Sequence, residues 1–238
     1  MDKEPGGIAI KAEEEKQLRR VFDLLCDYHS KRRIEEEVGV IRSDAKMKAA
    51  GLNEILDLKS SCWQAMNELI DSRLEGIRKE ISELRNPRIV RKVTPEDVQA
   101  MLRRLEHRAS RKEVEEMVWE VDEDLDGALS WQEFRLVFTR NIRDRTGLEP
   151  NRVFNLAQFL MYDTDLDGRV SMDDTLPMLC IRYGKKELES KLKEIFGPQA
   201  GTRVGEGGIG FSEYAAAVEA VQMQQYRRSP AGQLPTNK

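Results

Sequence analysis

Apolar residues fall along this chain in two regimes. From about residue 11 to 85 they recur at helical spacing with little to break a helix, since Pro is absent and Gly occurs only at 39, 51 and 76. Leu18, Val21, Phe22 and Leu25 make one stripe. Ala49, Leu56, Trp63, Ile70, Ile77 and Leu84 follow at steps of seven, with Leu52, Met66, Leu74 and Ile81 three or four residues from members of that series. Such a repeat, with Lys, Glu and Arg between its members, gives a narrow seam that helices bury by pairing with each other or with a partner. The pattern predicts a coiled-coil-type helical region over 11–85, split near 38–45. It reads equally as an antiparallel hairpin or as one interrupted rod. The alternative is an amphipathic stripe packed on the domain that follows.

From Val93 onward the helices become shorter and acidic, Gly-containing loops separate them. Thr94-Pro95-Glu96-Asp97 predicts a helix start, with Thr94 as N-cap, Pro95 in the first turn and Asp97 three residues after the cap. Ser110 with Glu113 repeats the signal before Val114, Met117, Val118 and Val121, which share a helical face. The ends, 1–10 and 223–238, are polar and include Gly and Pro, so they read as flexible tails.

Composition narrows the function. In 238 residues, 39 Lys and Arg face 43 Asp and Glu, a net charge of −4, and only 6% of residues are aromatic, too little for one large enzyme core. Charges are interspersed: Lys31-Arg32-Arg33 is followed by Glu35-Glu36-Glu37, a solvated helix face rather than a nucleic-acid stripe. The best apolar run, Leu176 to Ile181, is short and contains Pro177, so no membrane-spanning helix is expected. Met1-Asp2-Lys3-Glu4-Pro5 has neither the apolar core of a signal peptide nor a Gly for myristoylation, so the expected location is cytoplasmic. Cys26, Cys62 and Cys180 lack metal-binding spacing and read as small buried hydrophobes. His29 and His107 sit in charged helical contexts, and without a nucleophile elbow or phosphate loop no enzyme is expected.

The chemistry concentrates in Asp122-Glu123-Asp124-Leu125-Asp126-Gly127-Ala128-Leu129-Ser130-Trp131-Gln132-Glu133. A hard divalent cation takes six to eight oxygens, which a twelve-residue loop wrapped once around it can supply. Asp122, Asp124 and Asp126 offer carboxylates, Ala128 a backbone carbonyl, Ser130 a hydroxyl or a water, and Glu133 two oxygens from the far side. The pattern returns at Asp163-Thr164-Asp165-Leu166-Asp167-Gly168-Arg169-Val170-Ser171-Met172-Asp173-Asp174. There the candidate ligands are Asp163, Asp165, Asp167, the Arg169 carbonyl, Ser171 and Asp174. Asp174 is one methylene shorter than Glu, which lowers calcium affinity and makes magnesium a competitor. Pro177, early in the helix that leaves this loop, is expected to be tolerated only in its first turn.

Residues 93–222 resemble the EF-hand family, in an order similar to calmodulin and troponin C. The resemblance implies an all-α fold of four hands in two lobes, spanning 86–140 and 152–222 and joined by a linker at 141–151. It also implies calcium as the bound cation. Two further loops, Asn86 to Asp97 and Thr202 to Glu213, lie at the right distances but lack the first three acids, so only the inner two are expected to hold metal. Hands of this family pair at the eighth loop position, which would set Val93 against Leu129 and Val170 against Ile209. A long charged helical segment joined to such a module resembles cytoskeletal and ciliary EF-hand proteins. Two functions follow as expectations: a calcium-binding protein anchored through its N-terminal helices to protein partners in a larger assembly, or a calmodulin-like sensor. The sensor would open a groove for a target helix, lined by Met101, Met117, Met161, Met172 and Met178; ordinary core positions are the other reading of these methionines.

Overall fold

The structure is a computed structural model that describes residues 10–51, 60–84, 90–197 and 208–228. In chain order the elements are α1 (Ala12–Leu25), α2 (Tyr28–Gly51), α3 (Ser60–Leu84), α4 (Pro95–Arg104), α5 (Arg111–Trp119), α6 (Trp131–Arg143), α7 (Arg152–Tyr162), β1 (Arg169–Val170), α8 (Met172–Phe196), β2 (Ile209–Gly210) and α9 (Phe211–Arg228). Among the described residues the fold is all-α apart from the antiparallel β1–β2 pair and one isolated bridge. No described helix is long and apolar enough to cross a membrane. Asp27–Arg91 forms one compact unit, and the residues up to Cys26 join those from Lys92 onward in another.

In the Asp27–Arg91 unit, Ile34 and Ile77 are buried with Val38, Ile70, Leu74 and Ile81 packed around them. Arg33 pairs with Glu80, and Arg73 with Glu37 at 3.2 Å, so rising numbers on α2 meet falling numbers on α3. The described part of the seam therefore closes as an antiparallel hairpin within the chain. The side chains of Ala49, Leu52, Leu56, Trp63 and Met66 fall outside the described residues. The break expected near 38–45 is absent, because α2 runs through it; the helix boundaries fall instead at Cys26–Asp27, where Asp27 takes φ +59°, and in residues 52–59, which lie outside the described residues. Gly39 inside a helix costs only about 1 kcal/mol, which seam contacts on either side can offset. Asp tolerates left-handed backbone better than most residues.

The first helix belongs to the other unit, although the sequence groups it with 11–85. Its Leu18, Val21, Phe22 and Leu25 are buried, and Phe22 meets Trp131 and Phe134 with ring centroids 5.5 and 5.6 Å apart. Arg20 Nη2 donates to the Leu160 carbonyl at 2.6 Å. Glu14 and Arg182 form a 2.5 Å ion pair with side chains only 1% and 6% exposed. For α1, then, the stripe packs on the domain that follows, against α4, α6, α7 and α8.

This placement changes the account of the first degenerate hand. Its loop is expected to start at Asn86. Residues 86–89 lie outside the described residues, and α3 is part of the hairpin unit. The helix packed against α4 and α6 is α1. The two helices of that hand are thus separated in sequence by the hairpin, whose ends meet in an ion pair between Asp27 and Arg91 at 3.7 Å.

Capping boxes start four of the helices, two of them, at Thr94 and Ser110, where the sequence puts them. Thr94 with Asp97, Ser110 with Glu113, Ser130 with Glu133 and Ser171 with Asp174 each bond reciprocally. The two lobes, expected on either side of a 141–151 linker, pack together. In α7, nine of eleven residues are buried, with neighbours α1, α5 and α6 on the first-lobe side and α8 and α9 on the second. Phe138 and Phe154 lie 5.1 Å apart, and His107 Nδ1 is 2.8 Å from Ser212 Oγ. The linker itself is a built turn. Helix α6 continues to Arg143, and Asp144 accepts from Thr146 N at 2.7 Å and Glu149 N at 3.2 Å. Gly147 approaches α9 so closely that a Cβ would stand 2.7 Å from the Gln222 carbonyl oxygen.

Helix α9 runs to Arg228, past residue 223, because Gln222 is held by the linker: its Nε2 donates to the Glu149 carbonyl at 3.1 Å. Residues 1–9 and 229–238 of the expected tails lie outside the described residues. Met101, Met117, Met161 and Met178 are buried core positions. Cys26 is buried as expected, whereas Cys180 is exposed. Pro177 sits beyond the first turn of α8 on an exposed position, where water can take the carbonyl its missing N–H leaves. Helix α8 bends at Gly184, φ +72°, between the half that leaves the loop Asp163–Asp174 and the half that ends at Phe196.

Candidate metal centre

Asp122, just beyond α5, is buried, while Asp124 and Asp126 are exposed; the three offer carboxylate oxygens within 4.8 Å of one another. Gly127 takes φ +86°, a turn that a Cβ would strain, and Gly168 repeats it at +84°. Each carboxylate is oriented by the loop's own amides. Asp122 Oδ2 accepts from Gly127 N at 2.8 Å, Asp124 Oδ1 from Asp126 N at 3.2 Å and Asp126 Oδ1 from Ala128 N at 3.1 Å. Asp122 Oδ1 is buried and has no hydrogen-bond partner. An orphaned buried carboxylate oxygen among like charges is costly, and a cation is what would satisfy it.

Glu133 closes the loop from α6. Its Oε2 accepts from Ser130 N at 2.8 Å and Ser130 Oγ at 2.7 Å, and its Oε1 reaches back to Glu123 N at 2.9 Å and Asp124 N at 3.3 Å. Burial opposes its charged form, but these donors outweigh it and hold the carboxyl below its ordinary range. It is thereby kept in the anionic form that a cation would need.

The second loop repeats the arrangement with Asp163, Asp165 and Asp167 clustered and Asp163 buried. Gly168 N donates to Asp163 Oδ2 at 3.1 Å, and Arg169 N to Asp167 Oδ1 at 2.7 Å. The Asp163 carboxyl is pushed up to about 6, first by burial and further by Asp165 and Asp167, against the Gly168 N–H. Asp174 takes Ser171 N at 2.8 Å and Ser171 Oγ at 2.6 Å, as Glu133 does with Ser130. It stays exposed, and its described hydrogen bonds go no further than Ser171. The missing methylene is thus visible as a missing reach across the loop. The Arg169 guanidinium turns to the Gly208 carbonyl on the neighbouring loop.

Both expected pairings are present. Val93 N donates to the Leu129 carbonyl at 2.9 Å and Leu129 N returns the bond at 2.8 Å, while Val170 is in register with Ile209. In the fourth loop Glu213 Oε2 accepts from Gly210 N at 3.1 Å; Thr202, Val204 and Glu206 lie outside the described residues. The sequence reading missed Lys92, whose ammonium contacts Asp126 and lies 3.5 Å from Asp124 Oδ2. The available signal was its place directly before Val93, which pairing brings beside the loop.

Oxygen-only ligands suit calcium or magnesium rather than a soft transition metal. The residues that would hold the ion are Asp122, Asp124, Asp126, the Ala128 carbonyl, Ser130 and Glu133, and the corresponding set from Asp163 to Asp174. The search of curated proteins found no significant match to this chain. Residues 90–141, which hold α4, α5, the loop Asp122–Glu133 and α6 as far as Asn141, match the family model of an EF-hand domain pair, which supports the EF-hand calcium-binding family.

Proposed function

We propose that this protein binds calcium through the loops Asp122–Glu133 and Asp163–Asp174 and that the ion consolidates a closed four-hand unit rather than opening a groove. The observation that carries this reading is α7. It is buried from both lobes, so the surface that a target helix would need is already filled from within. The burial of Met101, Met117, Met161 and Met178 supports the same reading. Magnesium competes mainly at the Asp174 loop, where the shorter side chain favours fewer ligands. The Asp27–Arg91 hairpin, a separate unit with its own seam, is the anchor to a protein partner. A cytoskeletal or ciliary assembly is the setting its architecture suggests. Dye binding tests the central point: saturating calcium leaves exposed apolar surface unchanged, and partner affinity is equal in calcium and in chelator. A several-fold calcium-dependent rise in dye fluorescence would instead favour the sensor.

A further inference from the structure

We propose that Lys92 is a built-in competitor for the cation of the first loop. The inference rests on the reading of Asp122–Glu133 as a calcium site. Val93 exchanges two backbone hydrogen bonds with Leu129, the eighth residue of that loop, and this fixes the chain at the loop's edge. The residue one step earlier is thereby set beside the carboxylates. The Lys92 side chain is 27% exposed, and its ammonium contacts Asp126 and lies 3.5 Å from Asp124 Oδ2. Both acids also turn one oxygen to the loop's own amides, at Asp126 N and Ala128 N. Lys92 thus neutralises part of a cluster whose remaining demand, the buried Asp122 Oδ1, it does not meet.

A divalent ion drawing Asp124 and Asp126 inward must displace this ammonium or bind against its positive charge, and either course lowers affinity. The cost is that of a partly exposed ion pair, modest for one contact. Two carboxylates share Lys92, and a doubly charged ion meets it at short range. In the second loop the place of Lys92, directly before the residue paired with the eighth position, is held by Gly208, which has no side chain to reach the carboxylates, and the Arg169 guanidinium turns to its carbonyl. A loop whose spacing suits calcium in full is thus restrained by a lysine, while Gly208 imposes no such restraint on the loop ending in Asp174.

The test is isothermal calorimetry of calcium with the full chain, comparing wild type, Lys92→Gln and Lys92→Arg, each also with Asp163→Asn and Asp165→Asn to silence the second loop. Lys92→Gln should tighten first-loop binding by about three- to tenfold, the range of one to two surface pairs. Lys92→Arg should leave it near wild type, and the melting temperature of metal-free Lys92→Gln should not rise. Equal affinities for wild type and Lys92→Gln, or weaker binding by the Gln variant, overturn the role of Lys92 while leaving the calcium site intact. Absence of first-loop binding in every variant overturns the site itself and this inference with it.

Discussion

Glu133 and Asp174 occupy equivalent places, and one methylene separates what they do. Glu133 bonds donors at both ends of its loop, whereas the bonds of Asp174 stop at Ser171. Unit charges 4 Å apart near a protein surface interact by about 4 kcal/mol. Removing one charged ligand in Glu133→Gln should therefore weaken first-loop calcium binding by at least about a hundredfold, read by calorimetry. Asp174→Glu should act in the opposite direction, raising calcium affinity at the second loop and its preference over magnesium; an unchanged preference would deny the role given to side-chain length. At this scale the sequence was informative, because the acids, Gly127 and Gly168 occupy positions that a loop around a cation requires. Lys92 could be found only through the pairing of Val93. Its importance comes from the Val93–Leu129 pairing across 36 residues, and no local pattern marks it.

The fate of α1 shows what periodicity can and cannot determine. Leu18, Val21, Phe22 and Leu25 announce a buried stripe, but a stripe does not say what buries it. The helix packs against α4, α6, α7 and α8, and the hairpin between it and α4 disguised that destination. Phe22→Ala should cost about 3–5 kcal/mol in denaturant unfolding, as for other large aromatic truncations in a core. Glu14→Ala should cost a comparable ~3–5 kcal/mol, because it leaves the Arg182 guanidinium buried without its partner. Ile77→Ala, in the seam of the separate hairpin unit, should destabilise that hairpin without changing calcium affinity. The Ile70–Ile81 seam was legible as helix pairing, but the split read near 38–45 falls inside α2. A lone Gly is weak punctuation inside a long helix, and Asp27 can adopt the left-handed conformation that ends α1.

Across the whole molecule, the repeat of helix, loop and helix was plain in the sequence, and the packing between repeats was not. Loop spacing defines each hand, but the burial of α7 from both sides depends on contacts such as Phe138 with Phe154 that local patterning does not encode. Because that helix is shared, calcium should act on stability as a unit. At a hundred times Kd, a site bound only in the folded state adds about 2.7 kcal/mol, so the melting temperature should rise with calcium and fall back with chelator. The most direct measurement is calorimetric titration of the metal-free chain with calcium. Two binding sites are expected, with Glu133→Gln removing one and leaving the other. No heat and no shift in melting temperature at millimolar calcium would contradict this expectation.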